Sequence, residues 1–163
     1  MPKHPRLRWS RSPVRPALLL CLTALVILAG CSSLVEGQPS PTPLDFGGIT
    51  VTLARAGIVV AHTVSGDAGC SDPNLIPTAI AFDASGADQA TPVHLRIYIF
   101  SSRAAFDRRR ADVDTCATAW ATDPATFETV DATPFVVAGQ GPWAPGFKTA
   151  LAAALKAAAG NGD

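Results

Sequence analysis

The stretch PVHLRIYIF, Pro92–Phe100, decides the fold. Val93, Leu95, Ile97 and Ile99 fall on one side of an extended chain, and His94, Arg96, Tyr98 and Phe100 on the other. Successive strand residues point to opposite faces, so the aliphatic set predicts a core-facing row and the segment predicts one strand of a sheet.

Upstream, TAIAFDASG (Thr78–Gly86) predicts a second strand ending in a turn. IVVAHTV (Ile58–Val64) predicts another, stopped by Ser65-Gly66 and leading into the loop SGDAGCSDP (Ser65–Pro73). In DFGGITVTLARAG, Phe46, Ile49, Leu53 and Ala56 recur at helical spacing between Asp45 as cap and Gly57 as stop. The same segment contains ITVTL, whose β-branched alternation also suits a strand.

Downstream, RAAFDRRRADVDTCATAW (Arg103–Trp120) puts Phe106, Val113, Ala117 and Trp120 on one helical stripe with Cys116 beside it, after Ser101 or Ser102 as cap. Arg108 with Asp112 and Arg110 with Asp114 stand at i,i+4 and predict a solvated, internally paired face; contact with an anionic lipid or polymer is the sharper alternative. FETVDATPFVV predicts a last strand, interrupted by Pro134 and expected at a sheet edge. GQGPWAPGF reads as a rigid loop, and FKTALAAALKAAAG as a terminal helix with Phe147, Leu151, Ala154 and Leu155 inward. The order helix, three strands, helix, strand, helix predicts an α+β fold: a small, mostly antiparallel sheet with helices packed on one face. Residues 45–163, about 120 in number, are enough for one core and one domain.

Residues 1–30 differ in kind. Lys3, Arg6, Arg8, Arg11 and Arg15 precede the apolar run ALLLCLTALVILAG, the layout of a secretory signal. Its core, Ala17–Ala29, falls short of the about 20 apolar residues a spanning helix needs, so removal is expected. The run ends in LAGC, Leu28–Cys31, and on these residues the chain resembles a bacterial lipoprotein precursor. The resemblance implies that the Cys31 sulfur receives a diacylglyceryl group, that cleavage precedes it, and that the mature protein is Cys31–Asp163. It implies a partner too: the cell membrane, held through the N-terminal lipid on the extracytoplasmic side, whether inner or outer. Several acyl chains at ~0.8 kcal/mol per CH₂ anchor stably where one is marginal. Residues 31–44, with SSLVEGQPSPTPL after the lipidated cysteine, read as a Ser/Pro-rich tether.

With Cys21 in the signal and Cys31 lipidated, Cys70 and Cys116 remain. Outside the cytoplasm two such thiols most simply pair, which stabilises by ~4 kcal/mol in the chain-entropy model. The alternatives are metal ligation, or a reactive Cys70 with His62 or His94 as the base that makes its thiolate.

All thirteen Asp and Glu follow Cys31, but only eight of the thirteen Lys and Arg do, so the mature chain carries a formal −5. That excludes nucleic acid as a partner, since such binding relies on clustered cations. Asp67 and Asp72 lack EF-hand spacing, and the histidines lack zinc spacing. In GDAGC, Ala68 stands where a serine-peptidase motif has its nucleophile. No catalytic residue, metal or cofactor is expected.

The second face of the opening stretch, His94, Arg96 and Tyr98 with Phe100, mixes donors with aromatic bodies as binding sites do, and Trp143 in the Pro/Gly loop is placed to close over it. Packing of Tyr98 and Phe100 under a helix or loop is the plainer alternative. The span VHLRIYIFSSRAAFDRRRADVDTCATAW is similar to the extracytoplasmic sensor-like domain of some mycobacterial receptor kinases and lipoproteins, where a strand leads into a helix with Ala and aromatic residues, then Trp and a disulfide Cys. The similarity implies a domain that binds a ligand or partner, and carries over Cys116 alone. The expected function is a non-enzymatic, membrane-anchored binding module for a protein or small molecule. A thiol-dependent hydrolase or transferase using Cys70, and a structural accessory of the envelope, are the alternatives.

Overall fold

The computed structural model describes residues 43–160; the signal segment, Cys31 and the tether as far as Thr42 lie outside them. The elements are α1 (Pro43–Arg55), β1 (Ile58–Ser65), β2 (Ala79–Gly86), β3 (Gln89–Ile99), α2 (Arg103–Ala117), β4 (Phe127–Ala132), β5 (Phe135–Gln140) and α3 (Pro145–Ala159). One five-stranded sheet runs in the order β1-β2-β3-β5-β4, antiparallel at every pairing. The α+β architecture, the antiparallel sheet, the helices packed on it and the single Cys70–Cys116 disulfide are as expected.

Two sequence readings shift in detail. The helical reading of residues 45–57 prevails over the strand, because Phe46, Ile49 and Leu53 are all buried on one stripe. The helix begins at Pro43, so Asp45 falls within its first turn, and Gly57, at φ 78°, ends it where a side chain would be strained. FETVDATPFVV is two strands rather than one. The chain reverses at Thr133-Pro134, where proline's missing N–H costs the ladder nothing, and Phe135–Gln140 becomes an interior strand between β3 and β4. The edge position passes to β4.

The sheet buries both faces, and the alternation in β3 is the reason. On one face Leu95, Ile97 and Ile99 join Ile80, Phe82 and Val137 beneath α1 and α3, which pack side by side. Phe46 meets Phe82 with ring centres 5.4 Å apart, and Phe147, Leu151, Ala154 and Leu155 turn inward from α3. On the other face Tyr98 and Phe100 join Val136, Ala138, Phe106, Val113 and Cys116 beneath α2. The helices, expected on one face, are therefore shared between the two, because an apolar second row on β3 has to be covered as well.

The end helix is capped from a distance. Ala144 precedes α3 and offers no capping side chain. Asp88, in the β2–β3 turn, accepts hydrogen bonds from the N–H groups of Gly146 (2.8 Å) and Phe147 (2.5 Å) instead. The Gly146 bond leads in holding the Asp88 carboxyl below its usual range. A carboxylate suits the partial positive charge of a helix N-terminus.

Candidate functional site

Residues directly paired across strands share a face, so the ladder registers define the second face row by row. Val59, Ala61 and Val64 of β1 pair with Ser85, Asp83 and Ala81 of β2; Asp83 and Ala81 pair in turn with His94 and Arg96 of β3. Arg96 and Tyr98 then pair with Ala138 and Val136 of β5. α2 covers only the β3–β5–β4 part of this face. Arg110 fixes it there, donating to Asp131 (2.6 Å) and Thr129 of β4 and to Asp114 of its own helix (2.7 Å). On the β1–β2 part Ala79 and Ala81 are buried, but the stretch from Val59 and Ser85 through Asp83 to Val64 stays open, with Val59 63% and Val64 54% exposed.

His62, Asp83 and His94 meet on the open part. The Nδ1 atoms of His62 and His94 lie 2.8 and 2.9 Å from different oxygens of the Asp83 carboxylate. His94 first, then His62, holds Asp83 below its usual range by hydrogen bonding, against a smaller opposing effect of burial. A β-bulge between Ala61 and Val64 brings His62 into this row: three steps along β1 match two along β2, and His62 takes φ 49°. Left-handed backbone is uncommon for a non-glycine residue, although His visits it more often than most. With Nδ1 engaged by the carboxylate, each ring keeps Nε2 as a second hydrogen-bonding group. Among the described residues no three His, Cys, Asp or Glu side chains are arranged to hold a metal ion.

Arg96 is built in beside this row. Its guanidinium lies 4.6 Å from the Trp120 ring centre, its Nε donates to Asp67 at 3.3 Å, and its side chain is 12% exposed. Gly69, at φ 77°, lies in this corner, where a Cβ would collide with Trp120 and Arg96. The Asp67 carboxylate accepts the Gly69 N–H at 2.9 Å, so GDAGC is shaped by what stands over it. Tyr98 is fully buried; its hydroxyl donates to the Ala68 carbonyl at 2.8 Å, and burial pushes its pKa up to about 12.

Cys70 and Cys116 are disulfide-bonded with Cα atoms 5.5 Å apart. Asp72 ties the same loop to α2: its carboxylate accepts the Asn74 N–H and both oxygens take Arg109, whose Nε pairs with Asp112 at 2.9 Å. Asp112 thus pairs with Arg109 in place of the Arg108 read from the sequence, while Arg110–Asp114 forms as expected.

The four binding residues named from the sequence do not form one surface. His94 is half exposed and faces the open part. Arg96 is packed between Trp120 and Asp67, and Tyr98 belongs to the core beneath α2, the plainer of the two readings. Trp143 lies on the opposite face, against Phe147 with ring centres 6.2 Å apart. Its indole N–H donates to the Gln140 carbonyl at 3.1 Å, and its position in a loop after a strand gave no sign of which face it would choose. His62 enters the sequence reading only as a candidate base for Cys70, and Asp83 not at all, because only the bulge turns the two toward each other.

No family model, no curated protein and no solved structure matches this chain.

Proposed function

We propose that the mature chain is a lipid-anchored extracytoplasmic lipoprotein whose domain is a binding module, and that its binding surface is the open β1–β2–β3 face around His94. One observation carries the binding half of this reading: α2 covers half of a sheet face and leaves His62, Asp83 and His94 between the exposed Val59 and Val64. Apolar surface rimmed by oriented polar groups is what a partner or ligand buries. The anchor half rests on the charged start, the apolar run and LAGC, Leu28–Cys31, and the disulfide suits an oxidising compartment.

The thiol-dependent reading needs a free Cys70, and the bond to Cys116 occupies it. The folded, unreduced protein should resist iodoacetamide.

Two measurements on the full chain test the proposal. A metabolically supplied palmitate analogue should label the wild type and not Cys31→Ala; equal labelling of both would end the anchor reading. Native mass spectrometry of protein exported through an oxidising compartment should show a bound species that His94→Ala loses while keeping its disulfide. Retention of that species by both His94→Ala and His62→Ala would move the binding surface elsewhere.

A further inference from the structure

We infer that the paired outer surface of α1 and α3 is the side turned to the membrane, in contact with anionic lipid headgroups. This rests on the lipid-anchor reading. The tether ends on α1: Ser32–Thr42 are all that separate Cys31 from Pro43. A Ser/Pro-rich tether of eleven residues has an average reach of about 17–20 Å, comparable with the ~20 Å length of α1 itself, and α1 is the part of the domain nearest the lipidated cysteine along the chain.

The surface there is cationic within an acidic mature chain. α1 and α3 together carry Arg55, Lys148 and Lys156 against one acid, Asp45, within a mature chain of formal −5. Arg55 and Lys156 are exposed, and Val51 stands 49% exposed on the same helix as Arg55. The acids at the border are engaged: Glu128 by Lys148 and the Trp143 N–H, Asp88 by the N–H groups that open α3. On α2, Arg109 and Arg110 are taken up by Asp72, Asp112, Asp114 and Asp131, while Arg103 and Arg108 stand exposed, but that helix lies on the opposite sheet face from α1, where the tether ends. Cations near an anionic leaflet each favour contact by roughly five-fold, over a range of about a Debye length. With the helix layer down, the open face around His94 points away from the bilayer, where a partner can reach it.

The test uses the full lipidated chain in vesicles, with a spin label at Val51→Cys or, on the open face, at Val64→Cys. In vesicles containing phosphatidylglycerol, the label at position 51 should be shielded several-fold from a water-soluble relaxation agent, and the label at 64 should stay accessible. Pure phosphatidylcholine, or the pair Arg55→Glu and Lys156→Glu, should remove the shielding by roughly five-fold per charge. Equal access at both labels in a vesicle-bound chain would overturn the orientation alone. Shielding abolished by Arg103→Glu with Arg108→Glu would give the contact to α2 and overturn it too. A chain that does not stay with any vesicle would strike the anchor reading, and this inference with it.

Discussion

Beneath α1 and α3 the sheet is held by aliphatic and aromatic burial, with Lys148–Glu128 as the ion pair at its margin. Beneath α2 the apolar cluster is smaller, and around it stand the Cys70–Cys116 bond and the pairings of Arg96, Arg109 and Arg110 with five aspartates. The difference teaches how a small domain closes two faces with too little apolar surface for both. Burial contributes about 25 cal/mol per Å² wherever large side chains interlock. Where a single helix covers only half a face, a covalent tie and a set of partly buried ion pairs hold the loop and helix in place.

The comparison predicts unequal responses to mutation. Phe147 is fully buried on the α1/α3 side, and Phe147→Ala should cost about 3–5 kcal/mol in chemical denaturation. A loss under about 1 kcal/mol would mean that this side does not carry the fold. Replacing Cys70 and Cys116 together by Ser releases a loop closed over 46 residues and should cost about 2–4 kcal/mol. Hydrogen exchange should rise in Gly66–Pro73 and α2 while α1 and α3 keep their protection; uniform loss of protection would show that the two sides are not separable.

The smallest effect is electrostatic. Asp83 is held below its usual range in the folded protein by His94 and His62, so its contribution is fully present above the unfolded carboxylate value of about 3.9 and is lost as pH falls through the lower folded value. Asp83→Asn should therefore reduce the difference in unfolding free energy between neutral pH and pH below about 4, by no more than about 1 kcal/mol for so exposed a cluster. An unchanged acid dependence would remove Asp83 as a structural tie and leave it as a group held ready for a ligand.

Much of the fold was legible because period and burial coincide. The 2-residue alternation of Pro92–Phe100 and the helical stripe from Phe147 to Leu155 each carry the signal of the face they bury. The β4–β5 hairpin was not legible, since an apolar run on both sides of Pro134 looks the same whether the chain continues or reverses there. The pairing of Cys70 with Cys116 followed from counting. The open face did not: whether Tyr98 and Arg96 are covered depends on where α2 lands and on Trp120, and His62 joins Asp83 through one extra residue that shifts its facing by half a period.

That extra residue also governs how copies of the domain meet one another. β1 is an edge strand, and Ile58–Ser65 contains no Lys, Arg, Asp, Glu or Pro to discourage a neighbour from adding itself to the ladder. The bulge at Ala61–Val64 bends the edge midway and breaks the even spacing of backbone donors and acceptors that a second sheet would need. Copies gathered side by side are thereby kept from zipping into a common sheet, and straightening that strand by deleting Thr63 should make copies of the domain aggregate.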